Sequence, residues 1–244
     1  MKSSQINAIV FGIAIIAAAI VLGNAYVKRT NPDGNISVTG LGETDFVSDL
    51  IVWEGSYRTE DMNLQKAYSR LSSDKKAILE YLKSKGISEN VIVFKAVNTS
   101  QKIKHNYTAD GKYQGDEFDG YQLSQSVQIE SQEVEKIEIL SREITELLNQ
   151  GVNFYSEPPR YYYTKLADLK IEMISKATED ARLRAEKIAG NSGSELGELI
   201  SAQMGVFQIT GQNSAETYSW GGTFNTSSKK KTASITMKLF YKVK

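Results

Sequence analysis

One stretch decides the fold, residues 164–190, TKLADLKIEMISKATEDARLRAEKIAG, which has the longest uninterrupted helical pattern outside the N-terminus. Its apolar residues recur at steps of three and four, on one face of an α-helix: Leu166, Leu169, Met173, Ala177, Ala181, Ala185 and Ile188. The opposite face carries a charged ladder: Glu172, Lys176, Asp180 and Arg184. Because alanines dominate the second half of the apolar face, we expect this helix to cover a sheet at close range. Gly190 is its predicted C-terminal stop.

Composition is that of an ordinary globular protein. The chain has 244 residues, 41% hydrophobic and 24% charged, enough for one large domain or two small ones. Its net charge is zero, and because residues 1–29 hold three basic and no acidic side chains, the remainder is slightly acidic. Nucleic-acid-binding surfaces are normally basic, so we predict no nucleic-acid partner. The absence of cysteine excludes disulfides and thiol chemistry.

The N-terminal segment, 1–29, predicts a membrane connection. Residues 8–27, AIVFGIAIIAAAIVLGNAYV, are about as long as the ~20 apolar residues that cross a bilayer. We favour an uncleaved anchor, while Gly23 and Ala25 also fit the cleavage site of a removable signal peptide. Both interpretations place the rest of the chain outside the cytoplasm, in the periplasm or extracytoplasmic space. A short tether, 30–35, follows.

The next segments alternate between strands and helices. Strands are predicted at 36–41 and 46–58, the second with Val47, Ile51, Trp53 and Tyr57 on one face. A helix at 61–85 stops at Gly86, and strands at 91–104 and 118–130 form a hairpin with a long polar tip, 105–117. A second helix begins at Ser131 as N-cap and ends at Gly151, before a strand at 152–156. The order β-α-β-β-α-β from residue 46 onward is that of a ferredoxin-like unit.

The remaining segments complete an α+β protein. After the long helix, a strand at 232–243 alternates apolar and polar residues, and its predicted partner is 199–209. The soluble part, 36–244, thus divides into a ferredoxin-like half, 36–160, and a half with the long helix and a two-stranded antiparallel hairpin, 161–244. The connection 211–231 is too long for a tight turn. Its basic end, 229–231, is expected to be solvated.

Residue types argue against an enzyme. His105 is the only histidine, so no catalytic relay can use two imidazoles, and no nucleophile motif is present. The acidic residues near the hairpin tip, Asp116, Glu117 and Asp119, lack the spacing of a calcium loop. We therefore predict no catalytic residue, no cofactor and no metal site.

Two aromatic groups are the candidates for an interaction surface. Tyr161, Tyr162 and Tyr163 follow two prolines, where they either line a groove or pack as strand residues. Trp220 and Phe224 lie in a Gly- and Ser-rich loop, where a core role is hard to explain. We predict that this loop contacts a neighbouring subunit, lipid or partner.

Two stretches carry a family resemblance. Residues 176–205, KATEDARLRAEKIAGNSGSELGELISAQMG, and residues 36–50, ISVTGLGETDFVSDL, resemble the SIMPL-domain family, although Ser48 stands where proline is usual. The resemblance implies a bacterial cell-envelope protein, a loose link to oxidative-stress defence, and the ability to self-assemble into homo-oligomers. It implies no reaction.

Two function hypotheses follow. The first is a non-enzymatic, membrane-tethered protein that self-assembles or acts as an interaction module in the cell envelope. The second is a periplasmic binding module for a small molecule or envelope component, whose ligand the sequence does not identify.

Overall fold

The computed structural model describes residues 3–30 and 34–244. Within these residues the chain forms four α-helices: α1 (Ser3–Thr30), α2 (Leu64–Ser84), α3 (Val134–Glu143) and α4 (Leu166–Asn191). It also forms ten strands: β1 (Asn35–Val47), β2 (Leu50–Asp61), β3 (Ile92–Phe94), β4 (Asn98–Tyr107), β5 (Tyr113–Ser131), β6 (Phe154–Ser156), β7 (Arg160–Tyr162), β8 (Leu196–Met204), β9 (Gln208–Gly211) and β10 (Lys230–Val243). The predicted mixture of helices with antiparallel strands is confirmed.

The chain divides into two compact units, each assembled from separate segments. The first unit contains Met1–Glu43, Ile171–Phe207 and Ser234–Lys244. The second contains Thr44–Lys170 and Gln208–Ala233. The four boundaries fall inside β1, near the start of α4, just before β9 and inside β10.

In the first unit, α4 packs on β1 through small residues. A Cβ built on Gly40 would lie 2.2 Å from the carbonyl oxygen of Ala177 and 2.4 Å from the backbone nitrogen of Ala181. Such contacts are shorter than any side chain tolerates, so the strand needs glycine here. The predicted alanine face is confirmed, since its row continues at steps of four to buried Ala189. Ile188 was wrongly placed on it, because it lies beside that row and is 47% exposed.

The glycine that stops α4 lies three residues beyond the predicted Gly190. Gly190 is inside the helix, and Gly193, with φ +72°, takes the left-handed position instead. The nitrogen of Ser194 donates to the oxygen of Ala189 at 3.0 Å, and that of Gly193 to Gly190 at 3.2 Å. These two bonds form a Schellman motif, which fixes where the helix ends.

The predicted antiparallel pairing of 199–209 with the last strand is confirmed by β8 and β10. The sheet is not a two-stranded hairpin, however, because β10 lies between β8 and β1. The pairing of β10 with β8 aligns Met237 with Met204. The predicted alternation along β10 is confirmed, with buried residues at every second position: Ala233, Ile235, Met237, Leu239 and Tyr241. The prediction missed β1 as a partner because its residues lie near the other end of the sequence.

In the second unit, β3, β5, β2 and β6 are neighbours in that order, with β4 also paired to β5 and β7 to β2. Helices α2 and α3 contribute to a core around β2 that contains Ile51, Trp53 and Tyr57. The predicted limits of the first two strands were wrong, because the interruption between the strands lies at 48–49 rather than at 42–45. Val47 consequently ends β1 and is exposed.

The helix ends of this unit are partly as predicted. Gly86, with φ +74°, follows α2 as expected of a C-terminal stop. Gly151, with φ +80°, ends a 3-10 helix, Ile144–Gln150, which continues the chain after α3. Asn63 caps α2, accepting hydrogen bonds from the two nitrogens that follow the first helical residue. Ser131 is not the N-cap of α3, because Glu133 holds that position. The Ser131 hydroxyl accepts a hydrogen bond from the backbone nitrogen of Glu133 at 3.0 Å.

The hairpin of β4 and β5 is longer than predicted. The register pairs His105 with Asp116 and Tyr107 with Tyr113, so the tip is only 108–112. The predicted tip at 105–117 was wrong because this end of the hairpin is exposed on both faces, and without a buried face it shows no apolar alternation.

The N-terminal helix α1 contains Val10–Val27, a segment long and apolar enough to cross a membrane, and none of it is buried in the chain. Length and composition alone support this, and a signal sequence would meet the same test. Of the predicted tether, residues 31–33 lie outside the described residues.

Candidate functional site

The candidate site is a loop of the second unit, residues 212–229, which joins β9 to β10 and is called the aromatic loop below. Its sequence, QNSAETYSWGGTFNTSSK, holds one acidic residue, Glu216, and one basic residue at its end, Lys229. Loops rich in glycine and serine usually lack fixed structure. This loop is instead held in place by hydrogen bonds that Gln208, Glu216 and Asn225 make.

Buried Gln208 of β9 holds the middle of the loop. Its Nε2 donates to the oxygen of Ser219 at 2.9 Å, and its Oε1 accepts from the nitrogen of Thr223 at 2.7 Å. Backbone bonds support the same segment: Ile209 donates to Thr223 at 2.7 Å, and Asn225 donates to Ile209 at 2.9 Å. One side-chain amide thus satisfies two backbone groups that the loop would otherwise leave unpaired.

Buried Asn225 and the carboxylate of Glu216 hold the base of the loop. Asn225 donates from Nδ2 to Glu216 at 2.5 Å and accepts at Oδ1 from the nitrogen of Ser228 at 2.8 Å. The nitrogen of Gly211 donates to the other Glu216 oxygen at 2.9 Å. The Gly211 and Asn225 bonds lower the pKa of Glu216, so the carboxylate stays charged at the base of the loop.

The tip of the loop presents aromatic rings to solvent. Trp220 is 100% exposed, Tyr218 64% and Phe224 53%. Gly222, with φ +91°, closes the turn behind Trp220 and donates to the oxygen of Ser219 at 3.1 Å. A fully exposed tryptophan on an anchored turn is unusual, since large apolar side chains are normally at least partly covered.

Lys231, at the start of β10, is a buried cation beside the loop. The predicted solvated character of 229–231 is wrong for this residue, which is 1% exposed and donates from Nζ to the carbonyl oxygen of Tyr161 at 2.5 Å. Burial lowers the pKa of Lys231 to about 8, while nearby Glu216 opposes the shift. Lys229 instead bonds to Glu138 of α3 at 2.8 Å.

The structure brings one of the three predicted tyrosines to the loop. The nitrogen of Tyr161 donates to Thr226 at 2.7 Å, while its ring belongs to the hydrophobic core. Tyr162 and Tyr163 are half-buried, and the Tyr163 ring packs on Phe46 with centroids 4.8 Å apart. That these three side chains form a contact surface stays a prediction.

The only histidine lies elsewhere, on the β4–β5 hairpin. His105 Nδ1 lies 2.5 Å from Asp116 Oδ1, and both side chains are largely exposed. Hydrogen bonds from Tyr113 and then His105 lower the pKa of Asp116. In the described part of the chain no group of three or more His, Asp or Glu side chains is placed to hold a metal ion.

The residues that fix the loop were missed from the sequence. Gln208, Glu216 and Asn225 show no motif, because their partners are mostly backbone groups of the loop itself. Lys231 did have a signal: it continues the inward positions of β10 by one step beyond Ala233.

The fold and this loop define a mixed α/β protein with antiparallel sheets and an exposed aromatic loop. A family model described as "SIMPL: Protein of unknown function (DUF541)" matches residues 36–238. The chain therefore belongs to the SIMPL family, as the resemblance of its two sequence stretches indicated. A comparison with curated proteins found no match.

Proposed function

We propose that this chain is an exported, membrane-tethered, non-enzymatic protein that self-assembles or binds a partner in the bacterial cell envelope. The aromatic loop is its contact surface. Membership of the SIMPL family and the apolar helix α1 support the proposal in outline. A role in oxidative-stress defence is part of it and rests on the resemblance alone.

The single observation that carries the proposal is the exposure of Trp220 on a loop that buried polar groups hold in place. Ordering a loop costs roughly 1–2 kcal/mol of backbone entropy per residue. In this loop, hydrogen bonds within the chain offset that entropy cost before the loop contacts any partner. Pre-organised aromatic side chains are the kind of residue that dominates binding energy at interfaces.

The test compares a loop variant with a histidine variant in the full-length protein. Trp220→Ala with Phe224→Ala should lower peroxide survival of cells, whereas His105→Ala should leave it unchanged. Sedimentation of the detergent-extracted protein distinguishes the partner, since a lower mass assigns the loop to self-assembly. Loss of survival in His105→Ala, with wild-type behaviour of the loop variant, would favour an enzyme instead.

The membrane tether is tested separately. An uncleaved α1 keeps the protein in membranes after carbonate washing and leaves residues 1–29 in its intact mass. A mature chain beginning near Tyr26 would instead mean a signal peptide and a protein released into the periplasm.

We propose a ferredoxin-like arrangement for the second unit. The strand order β3, β5, β2, β6, with helices α2 and α3 following β2 and β5, supports it. The extra strands β4 and β7 extend the sheet beyond the four that such a unit needs.

The alternative, a binding module, is favoured by a hollow in the second unit with a volume of about 590 Å³. Its lining combines apolar, amide and hydroxyl side chains: Leu64, Gln65, Tyr68, Ser69, Thr99 and Leu123. A monomeric protein that binds the dye anilinonaphthalene sulfonate, and loses that binding in Tyr68→Ala, would favour this alternative.

A further inference from the structure

We infer that the aromatic loop docks on the lipid–water interface of the membrane. This rests on the proposed function and names the partner of its contact surface. Three properties of the loop support lipid over a protein partner: the apolar area at its tip, the position of its charges, and its side-chain types.

The three exposed rings of the tip do not by themselves cover the total area of a stable protein interface. A fully buried aromatic side chain covers ~150–250 Å², so the exposed parts of Tyr218, Trp220 and Phe224 offer at most roughly 500 Å². A stable protein–protein interface takes about 800 Å² from each partner. A weak contact suffices, however, when a tether already holds the protein at the surface it binds, because the second contact is then intramolecular.

The charges of the loop lie away from its tip. From 217 to 228 the loop has no charged residue. Glu216 bonds to Gly211 and Asn225 at the base, and Lys229 bonds to Glu138 of α3. Inserting the tip among lipid headgroups therefore strips water from no charged side chain.

The side-chain types match the lipid–water interface. Trp and Tyr concentrate at this depth of membrane proteins, because the ring is apolar and the N–H or O–H group remains hydrated. The serine, glycine and threonine residues around Trp220 suit a headgroup region in which backbone groups still meet water. In the proposed function, the apolar helix α1 tethers the chain to the membrane on which the loop docks.

The chain contains its own reporter. It has two tryptophans. The other one, Trp53, is fully buried and donates from Nε1 to the Ser156 hydroxyl at 3.0 Å. Full-length protein is reconstituted into vesicles of phosphatidylcholine and phosphatidylglycerol, with and without brominated phosphatidylcholine. The matched Trp220→Phe variant leaves Trp53 alone, so the difference between the two proteins is the emission of Trp220.

Brominated lipid should quench roughly half or more of the Trp220 emission and none of the Trp53 emission, since bromine quenches only rings at lipid depth. Two other results would overturn the inference. Trp220 that is shielded from aqueous acrylamide but not quenched by bromine contacts protein, which leaves the proposed function standing. Trp220 that acrylamide quenches as freely as a tryptophan in solution has no partner, and both proposals then fail.

Discussion

The contact of α4 with β1 and the base of the aromatic loop are both closely fitted, but by different chemistry. At the first, Gly40 meets Ala177 and Ala181 backbone atoms with no space for one added carbon. At the second, polar side chains such as Gln208 and Asn225 satisfy loop backbone groups. The α4–β1 contact should therefore lose stability when an atom is added. The base of the aromatic loop should lose its order when a polar atom is removed.

The largest effect is expected from Gly40→Ala. Its new methyl group would overlap backbone atoms, which cannot turn aside as a side chain can, so the cost should reach the top of the usual ~1–3 kcal/mol for overpacking. Thermal unfolding followed by circular dichroism measures it, with exposed Thr39→Ala as control. Equal melting temperatures in the two variants would mean that the helix lies farther from the strand.

A companion pair tests the helix side of the same contact. Ala181→Leu should cost ~1–3 kcal/mol, because buried Ala181 faces the strand. Glu179→Gln, on the exposed face, should change stability by less than about 0.5 kcal/mol. Similar values at both positions would contradict the orientation of α4.

At the loop, Gln208→Ala should cost ~1–3 kcal/mol locally, because Thr223 and Ser219 lose their partner. The anisotropy of the Trp220 emission, taken as the difference from the same protein with Trp220→Phe, should fall, and proteolytic cleavage within 212–229 should speed up. Gln203→Ala, of the same residue type but exposed on β8, is the control. Unchanged anisotropy would show that the backbone bonds alone hold the loop.

Lys231 predicts how stability varies with pH. The pKa is lowered to about 8 in the folded chain, against the ordinary 10.5 when unfolded. Below pH 8 both states are protonated; above it the unfolded state alone keeps its proton, so stability should rise with pH, by ~1–2 kcal/mol up to pH 10. Burial raises the pKa of Tyr57, Tyr81 and Tyr161, which costs stability only above their ordinary value of 10.0.

The control for this pH dependence is Lys231→Met, which should remove the rise between pH 8 and 10. Exposed Lys230→Met should retain it. A rise that persists in Lys231→Met would assign the titration to another group.

The smallest effect is expected from Ser48→Ala. The Ser48 hydroxyl is buried and, among the described residues, has no hydrogen-bond partner, so its removal should be neutral or stabilising by less than about 1 kcal/mol. Ser48→Pro would in addition remove the bond from its nitrogen to Lys229 at 2.9 Å. Urea unfolding separates the two, and a loss of stability in Ser48→Ala would reveal a partner such as bound water.

The sequence predicted the short-range repeats and the pairing of β8 with β10, but it missed the pairing of β10 with the distant strand β1. The alanine row of α4 and the alternation of β10 follow from periods of about four and two residues, which burial on one face imposes. The pairing of β1 with β10 leaves no local pattern in either strand. The division between β1 and β2 was misplaced because Gly40 and Gly42, which resemble turn residues, are required by the approach of α4.

For the candidate site too, local sequence features were predictable and long-range contacts were not. Trp220 and Phe224 were found because large apolar residues are out of place in a Gly- and Ser-rich segment. Their anchoring was not predictable, since Gln208 and Asn225 act through backbone groups whose positions only the folded loop defines.

The pairing of β1 with β10 also determines when the first unit can fold during translation. Residues 35–47 leave the ribosome long before their partner strand, 230–243, has been made. Contacts between such distant segments form slowly, since a long loop must close before they are rewarded. The first unit can therefore mature only after translation has passed residue 234, and until then β1 is an unpaired strand that a chaperone would have to shield.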